Sequence, residues 1–268
     1  MIRYLKQSLQ PFLLPTLSLA FAACAPVPDF YEAQNLSAKP FNQLDLAGNA
    51  CGPASLLNSY RFGDPNWRKL SEEPAGLSDR ERIRAIARGP AMRESSSLPG
   101  RARWSRRGIN LSDLREVANE MASPAYLPSL AQQTLFLKPT ESQQSHIQRV
   151  HSLLASSLKA EIPPILSIRR FAKRGGKWTS IQAHFVTVIS VPGNIPTGET
   201  SFPVKYIDPL GGNFREGRIA ISRTAFLQTD PAANPNLEAI FPDVTIGKNS
   251  LRSGETSYLA VSAVLGKF

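Results

Sequence analysis

The hydrophobic period of the chain changes near residue 162, and this change limits the folds that the chain can form. Before it, apolar residues recur at helical spacing in segments such as "CGPASLLNSYRFG" and "NLSDLREVANEMA". After it, apolar residues alternate with a period of two in "PPILSIRR", "IQAHFVTVISV", "FPVKYIDP", "EAIFPDVTI" and "SYLAVSAVLG". Helices followed by a run of strands predict an α+β fold, with an N-terminal helical part packed on a C-terminal antiparallel β-sheet.

Start signals mark several of the predicted helices. Pro53 suits the first turn of the helix that opens with "CGP". Ser78 precedes "DRERIRAIAR" as a helix-capping residue. Thr140 and Gln143 form a capping-box pattern, which predicts a further helix through about Leu158.

The first 23 residues have the layout of a secretory signal peptide. Arg3 and Lys6 give a positive start, and residues 12–23 form an apolar stretch that is too short to span a bilayer. The sequence "FAAC" at the end of the stretch resembles the lipobox of bacterial lipoproteins, in which Cys24 is lipidated and becomes the new N-terminus. Phe21 stands where the lipobox usually has Leu, so ordinary cleavage beside "AA" stays the alternative.

A lipid on Cys24 predicts a membrane-anchored protein of the bacterial cell envelope. Ala25 follows Cys24, where an Asp often retains lipoproteins at the inner membrane. We therefore expect the periplasmic side of the outer membrane. Residues 24–40 contain several prolines and few periodic apolar residues, which predicts a lipidated tether in front of one domain over residues 41–268.

The chain is basic, with 31 Lys and Arg against 21 Asp and Glu. Arginines concentrate in residues 80–107, inside a predicted basic helical insertion over about 64–110. Such a run is either a solvated face or a cap that meets an anionic surface or substrate. Nucleic acid is not an expected partner, because the sequence has no recognition helix and the protein is predicted to be exported.

Cys51 is one of only two cysteines, and it stands at the predicted start of a helix. If Cys24 is lipidated, Cys51 has no partner for a disulfide; if Cys24 keeps its thiol, a Cys24–Cys51 bridge is the alternative. The positive end of the helix dipole favours a thiolate at such a position. A buried structural cysteine is the other interpretation of Cys51.

The strands on either side of "PGNIPTGET" bring a histidine and a carboxylate together. In a hairpin centred on Pro196, paired residue numbers sum to 392, so His184 lies directly across from Asp208. A bulge would shift this register by one residue. An imidazolium next to Cys51 favours a nucleophilic thiolate, and Asp208 would hold the ring and stabilise its charge.

These residues together resemble a known family. The pattern "Q…ACGPASLL…AHFVTVISV…YIDPLGG" is similar to the papain-like superfamily and, within it, to the bacteriocin-leader (double-glycine) peptidases. That branch has a Gln before a helix that starts with Cys-Gly, then a His that leads an apolar strand, then Asp-Pro. "IPPILSI" and "GINLSDLREVANEMA" fit its pattern too, and the resemblance covers about residues 43–212 apart from the basic segment.

The resemblance implies a role for each matching residue. Cys51 is the nucleophile, His184 the base and then the acid, Asp208 the residue that orients the ring, and Gln43 the oxyanion donor. Gln43 lies eight residues before Cys51, where the family usually has about six. Two nearby amides are therefore alternative donors, namely Asn49 and Asn42.

The predicted function is that of a cell-envelope thiol hydrolase, most specifically a cysteine peptidase that cleaves peptide bonds through an acyl-enzyme thioester. An inactive papain-like binding or scaffold lipoprotein and an acyl or amide transferase with the same triad are the alternatives. No cofactor or metal is expected, because the sequence has no CxxC, HExxH or phosphate-binding glycine loop. His146 and His151 are five residues apart, a poor spacing for a shared metal, and we expect both on a helix surface.

Overall fold

The computed structural model describes residues 29–268. The predicted signal peptide, residues 1–23, and the predicted lipidation site at Cys24 therefore lie outside the described residues. Within residues 29–268, no helix has both the length and the apolar content needed to cross a bilayer.

Helices dominate the first part of the described chain and strands dominate the second. The helices are α1 (Cys51–Arg61), α2 (Pro65–Glu72), α3 (Asp79–Arg88), α4 (Leu111–Ala122) and α5 (Gln143–Lys159). The strands are β1 (Phe30–Glu32), β2 (Trp104–Ser105), β3 (Gly108–Ile109), β4 (Ala131–Thr134), β5 (Ile165–Arg174), β6 (Lys177–Pro192), β7 (Ser201–Asp208), β8 (Asn213–Ala220), β9 (Glu238–Ile240) and β10 (Ser257–Gly266). The predicted α+β class is confirmed.

The C-terminal strands pair in a closed circuit. Strand β6 pairs with β5, β5 with β10, and the pairings continue through β9, β8 and β7 back to β6. All these pairs are antiparallel. Strands β1 and β4 pair outside the circuit, with β6 and β10 respectively, while β2 and β3 form a separate hairpin.

Two large hydrophobic clusters and a small third one, around Phe226 and Tyr258, fill the described domain. One large cluster lies between α5 and the sheet, and the other surrounds α1. The second cluster includes Trp67 of α2 and Ile83 of α3, and the Trp67 ring stacks on Tyr60 of α1 at 5.5 Å. The first half of the basic segment is therefore part of the same core as α1.

The predicted tether is wrong for residues 30–33, which belong to the folded domain. Strand β1 pairs with β6, from Phe30 opposite Pro192 to Glu32 opposite Ser190. The physical reason is the length of β6, which continues past Thr187, where its pairing with β5 ends. This extension offers unpaired backbone groups that β1 satisfies.

Two predictions for α5 are wrong. Ser142, not Thr140, caps the helix, and its side chain accepts a hydrogen bond from the Ser145 N–H. His146 and His151 are buried instead of lying on the surface.

Main-chain carbonyls outside α5 explain the burial of the two histidines. Nε2–H of His146 donates to the Leu135 carbonyl at 2.8 Å, and Nε2–H of His151 donates to the Pro192 carbonyl at 2.7 Å. Burial lowers the pKa of both rings. Each ring is thus neutral and donates a hydrogen bond to a carbonyl of a segment packed against α5.

The register of the β6–β7 pair also differs from the prediction. Thr187 lies opposite Ile207 and Val188 opposite Tyr206, so paired numbers sum to 394 instead of 392. A bulge follows, after which Ser190 pairs with Lys205. His184 is therefore not directly across from Asp208, because the hairpin is centred between residues 197 and 198 instead of on Pro196. The bulge moves the register back by only one residue.

Hydrogen bonds connect α1 to the central strand β6. The Ser55 hydroxyl donates to the Phe185 carbonyl at 3.1 Å, and the Thr187 hydroxyl donates to the Ser55 carbonyl at 3.0 Å. All three residues are buried. Both strand residues lie just after His184, so these bonds set the position of the helix start relative to that ring.

Gly52 allows α1 to approach its neighbours closely. A Cβ atom at this position would overlap the side chain of Ile109 in β3 and would also contact Leu114 and Phe185. Gly52 is buried within the helix, so no solvent-filled space is available for an added methyl group. The absence of a side chain therefore brings Cys51 within reach of the strand that carries His184.

We predict that Gly52→Ala destabilises the protein by about 1–3 kcal/mol, the typical cost of overpacking. Helix propensity alone would favour Ala by about 1 kcal/mol, so the sign of the measured change reports the steric effect. Denaturant unfolding checks this, with Gly48→Ala as the matched control because a Cβ at Gly48 meets nothing within 4 Å. Equal stabilities for the two variants would contradict the close-packing argument.

Candidate active site

Cys51 is the first residue of α1, and its thiol is free and partly buried. No side chain caps the N-terminus of this helix. The backbone N–H groups of Phe185 and Gly52 and the His184 ring instead lower the pKa of the thiol. The end of the helix and the adjacent strand thus direct their donors at one atom.

His184 lies between the thiol and a carboxylate. Its Nε2 is 2.8 Å from Oδ1 of Asp208, and both residues are only 3% exposed. Because Nε2 bonds to Asp208, Nδ1 is the ring nitrogen that remains for Cys51. The structure therefore brings together Cys51, His184 and Asp208, although the His–Asp contact is diagonal across the two strands.

The electrostatics of the pair favour opposite charges. Burial raises the pKa of the Cys51 thiol, but the hydrogen bond and charge of His184 and the two backbone N–H groups outweigh it, so this pKa lies below its ordinary value. Burial lowers the pKa of His184, but Asp208 and Cys51 outweigh it, so that pKa lies above its ordinary value. These opposite shifts define a pH range in which thiolate and imidazolium coexist.

The turn after β7 holds Asp208 in place. Oδ1 of Asp208 also accepts a hydrogen bond from the Leu210 N–H at 2.9 Å. The Pro209 carbonyl accepts from the Gln43 N–H at 2.8 Å, and Oδ1 of Asn42 accepts from the Gly211 N–H at 3.0 Å. The segment that carries Gln43 and the turn that carries Asp208 are thus joined directly.

The three candidate oxyanion donors have different surroundings. Gln43 is buried in the cleft wall beside Cys51, and its Nε2 donates one hydrogen to the Gly48 carbonyl, which leaves a second N–H. Asn49 lies in the same wall, and its Nδ2 likewise donates one hydrogen, to the Ser105 carbonyl at 2.8 Å, and keeps a second N–H. Asn42 does not line this cleft.

The cleft has a volume of about 490 Å³, and residues 245–247, 249 and 250 form part of its wall. Arg170 of β5 holds this loop by donating to the carbonyls of Ile246 and Val244. The Gln182 side chain accepts from the Gly247 N–H at 2.8 Å. Sequence reasoning did not identify Arg170, because an arginine inside an apolar strand gives no signal of which loop it meets.

No group of three or more His, Cys, Asp or Glu side chains that could hold a metal ion occurs among residues 29–268. Comparisons of the chain with protein-family models, with curated proteins and with solved structures find no match. The papain-like assignment therefore stays a prediction from the sequence.

We predict that iodoacetamide alkylates Cys51 well below the ordinary thiol pKa of about 8.5. The rate should rise with pH through the lowered pKa of Cys51. In His184→Ala the stabilising imidazolium charge is absent while the thiol stays buried. The alkylation rate of this variant should therefore rise only above about pH 8.5. For Asp208→Asn, the pH at which the alkylation rate rises should lie between those of the wild type and His184→Ala. The reason is that an amide orients the His184 ring but does not stabilise its charge.

The measurement is the alkylation rate from about pH 4 to 10 for the three proteins. A wild-type rise near 8.5 that is unchanged in His184→Ala would contradict an activated Cys51.

Proposed function

We propose that this protein is a papain-like thiol hydrolase of the bacterial cell envelope, and specifically a cysteine peptidase. The observation that supports the proposal is the position of His184, between the Cys51 sulfur and the buried Asp208 carboxylate. Thiol activation needs this arrangement, whereas a structural cysteine does not.

In the first half of the proposed reaction, the Cys51 thiolate attacks the carbonyl carbon of the scissile amide. A C–S bond forms, and the carbonyl electron pair moves to oxygen. The imidazolium of His184 then gives its Nδ1 proton to the amide nitrogen. The C–N bond breaks, an amine leaves, and a thioester on Cys51 and a neutral His184 remain.

In the second half, water attacks the thioester carbon. Nδ1 of His184 accepts a proton from the water, and the C–S bond breaks to release a carboxylic acid. This step restores the thiolate–imidazolium pair. Asp208 remains ionised throughout and stabilises His184 whenever the ring is charged.

The oxyanion of each tetrahedral intermediate needs donors on the side of the sulfur away from the ring. The Cys51 backbone N–H is one candidate, because the first N–H groups of a helix have no intrahelical partner. The second N–H of Gln43 is the other, and its place in the cleft wall beside Cys51 favours it over Asn42.

The envelope location depends on the signal-peptide pattern and on lipidation of Cys24. It is tested by mass spectrometry of the mature protein purified from bacterial membranes. An acylated Cys24 at the N-terminus would support the lipid anchor. An unmodified N-terminus near Ala23 would instead indicate an exported protein without a lipid anchor.

We predict that the wild-type protein hydrolyses members of a fluorogenic peptide library and that Cys51→Ser does not. A thiol-directed activity probe should label the wild type alone. Unchanged circular dichroism and melting temperature of Cys51→Ser serve as the folding control. Failure of both hydrolysis and labelling in the folded wild-type protein would favour a binding scaffold, and acyl transfer to an added amine without hydrolysis would favour a transferase.

We further predict that Gln43→Ala lowers kcat by about 10²–10³-fold, the typical cost of losing one oxyanion donor. The rate of alkylation by iodoacetamide should change little, because attack on a saturated carbon creates no oxyanion. Gln133→Ala is the control, since Gln133 is exposed on β4. Parallel losses of turnover and alkylation in Gln43→Ala would assign Gln43 a structural role instead.

A further inference from the structure

A second cavity also opens at Cys51. Its volume is about 370 Å³, and its walls include the hairpin of β2 and β3 together with residues of β4, β5, β6 and β10. Cys51 and Arg107 line both this cavity and the first one, whereas His184 and Gln43 line only the first. The nucleophile thus lies between two adjoining spaces of different composition.

Apart from Cys51 and His184, all charged side chains that line the two cavities are arginines. Arg106 and Arg107 line the first, while Arg101, Arg107 and Arg169 line the second. Neither lining contains an Asp or a Glu. Within residues 29–268, none of these four arginines forms an ion pair.

Other arginines of the basic segment have carboxylate partners. Arg103 bonds to Glu116 and Glu120, each at 2.9 Å, and Arg93 bonds to Glu120 at 3.0 Å. The cleft arginines differ from these because their positive charge is directed at an open space.

The hairpin fixes two of the arginines at the cleft. Arg106 and Arg107 form the two-residue connection between β2 and β3. The side chain of Asn49 donates to the Ser105 carbonyl, and Nε1 of Trp104 donates to the Asn49 carbonyl at 3.3 Å. The tip of the hairpin is therefore attached to the residues that precede the nucleophile.

The second cavity also has an apolar part. Leu98 and Phe136 line it and are 41% and 49% exposed. Ile109 and Phe185 line its inner side and are nearly buried. Apolar surface next to unpaired cations suits a ligand that carries both an anionic and a hydrophobic group.

We propose that the second cavity binds the acyl side of a peptide substrate, with an acidic side chain facing Arg101 and Arg169 and a hydrophobic side chain on Leu98 and Phe136. This inference rests on the proposed function. The leaving amine must lie near His184, which protonates it, and His184 lines only the first cavity. The acyl part of the substrate therefore extends into the second.

The test uses peptide chloromethyl ketones, which place their peptide on the acyl side of Cys51. We compare acetyl-Leu-Glu-Gly chloromethyl ketone with analogues in which Gln or Lys replaces Glu. The Glu probe should modify Cys51 about tenfold faster than the Gln probe, and the Lys probe should be slowest. Added salt should reduce the difference, because accessible charges are screened.

The double variant Arg101→Gln/Arg169→Gln should bring the Glu and Gln rates together. The double variant Arg80→Gln/Arg88→Gln removes the same net charge from exposed positions on α3 and should keep the preference. Rates for the Glu and Gln probes within about twofold in the wild type would overturn the proposal. An equal loss of preference for the Glu probe in both double variants would also overturn the proposal, because it would show that the preference depends only on the net charge of the protein.

A binding measurement separates this proposal from the proposed function. Fluorescein-labelled Leu-Glu-Gly and Leu-Gln-Gly peptides are titrated into Cys51→Ala, and fluorescence anisotropy gives the two affinities. Tighter binding of the Glu peptide that is lost in Arg101→Gln/Arg169→Gln supports the acidic subsite even where no probe reacts with Cys51. Equal affinities would overturn the subsite, whatever the reactivity of the thiol.

Discussion

The contact between α1 and β6 is the constraint on which the candidate site depends. Cys51 and His184 are 133 positions apart in the chain, and the hydrogen bonds of Ser55 with Phe185 and Thr187 set the helix against the strand beside that histidine. Gly52 lets the helix end approach without steric overlap. These groups are buried, so removing one hydrogen-bond partner leaves an unsatisfied polar atom. The free energy lost in this way exceeds the net contribution of the hydrogen bond to stability.

The buried charges are stable only as a set. Burial alone would keep Cys51 and His184 neutral, and it is the largest single influence on the pKa of each. Their mutual attraction, the Asp208 carboxylate and the backbone N–H groups at the sulfur reverse that preference. Removing one member therefore leaves a charge without compensation, so the three side chains act as a unit and their substitutions are not additive.

The sequence predicted the parts of the fold with a clear hydrophobic period, because one face of each such element is buried. It did not reveal β8, where the first six residues are exposed or only partly buried. It misplaced the centre of the β6–β7 hairpin, which shifted the expected partner of His184, and it missed the bulge after Val188, which has no sequence signal. It also misplaced His146 and His151, since the carbonyls that bury them come from distant segments. The grouping of Cys51, His184 and Asp208 survived the wrong register because the His184 side chain reaches Asp208 diagonally.

The net charge of the chain combines two physically different sets of arginines. Those with carboxylate partners, such as Arg103, contribute little external field, because their charge is balanced within a few ångströms. Those at the cleft have no such balance, and the hairpin tip with Arg106 and Arg107 is tied through Asn49 to the start of α1. In the proposed subsite, Arg169 is carried by β5 and Arg107 by this hairpin, so a bound carboxylate would meet cations whose backbone positions are fixed relative to Cys51. Such an arrangement limits the conformational entropy that the arginines lose when substrate binds. The same contacts can then select for an acidic substrate and align its scissile bond with the Cys51 sulfur.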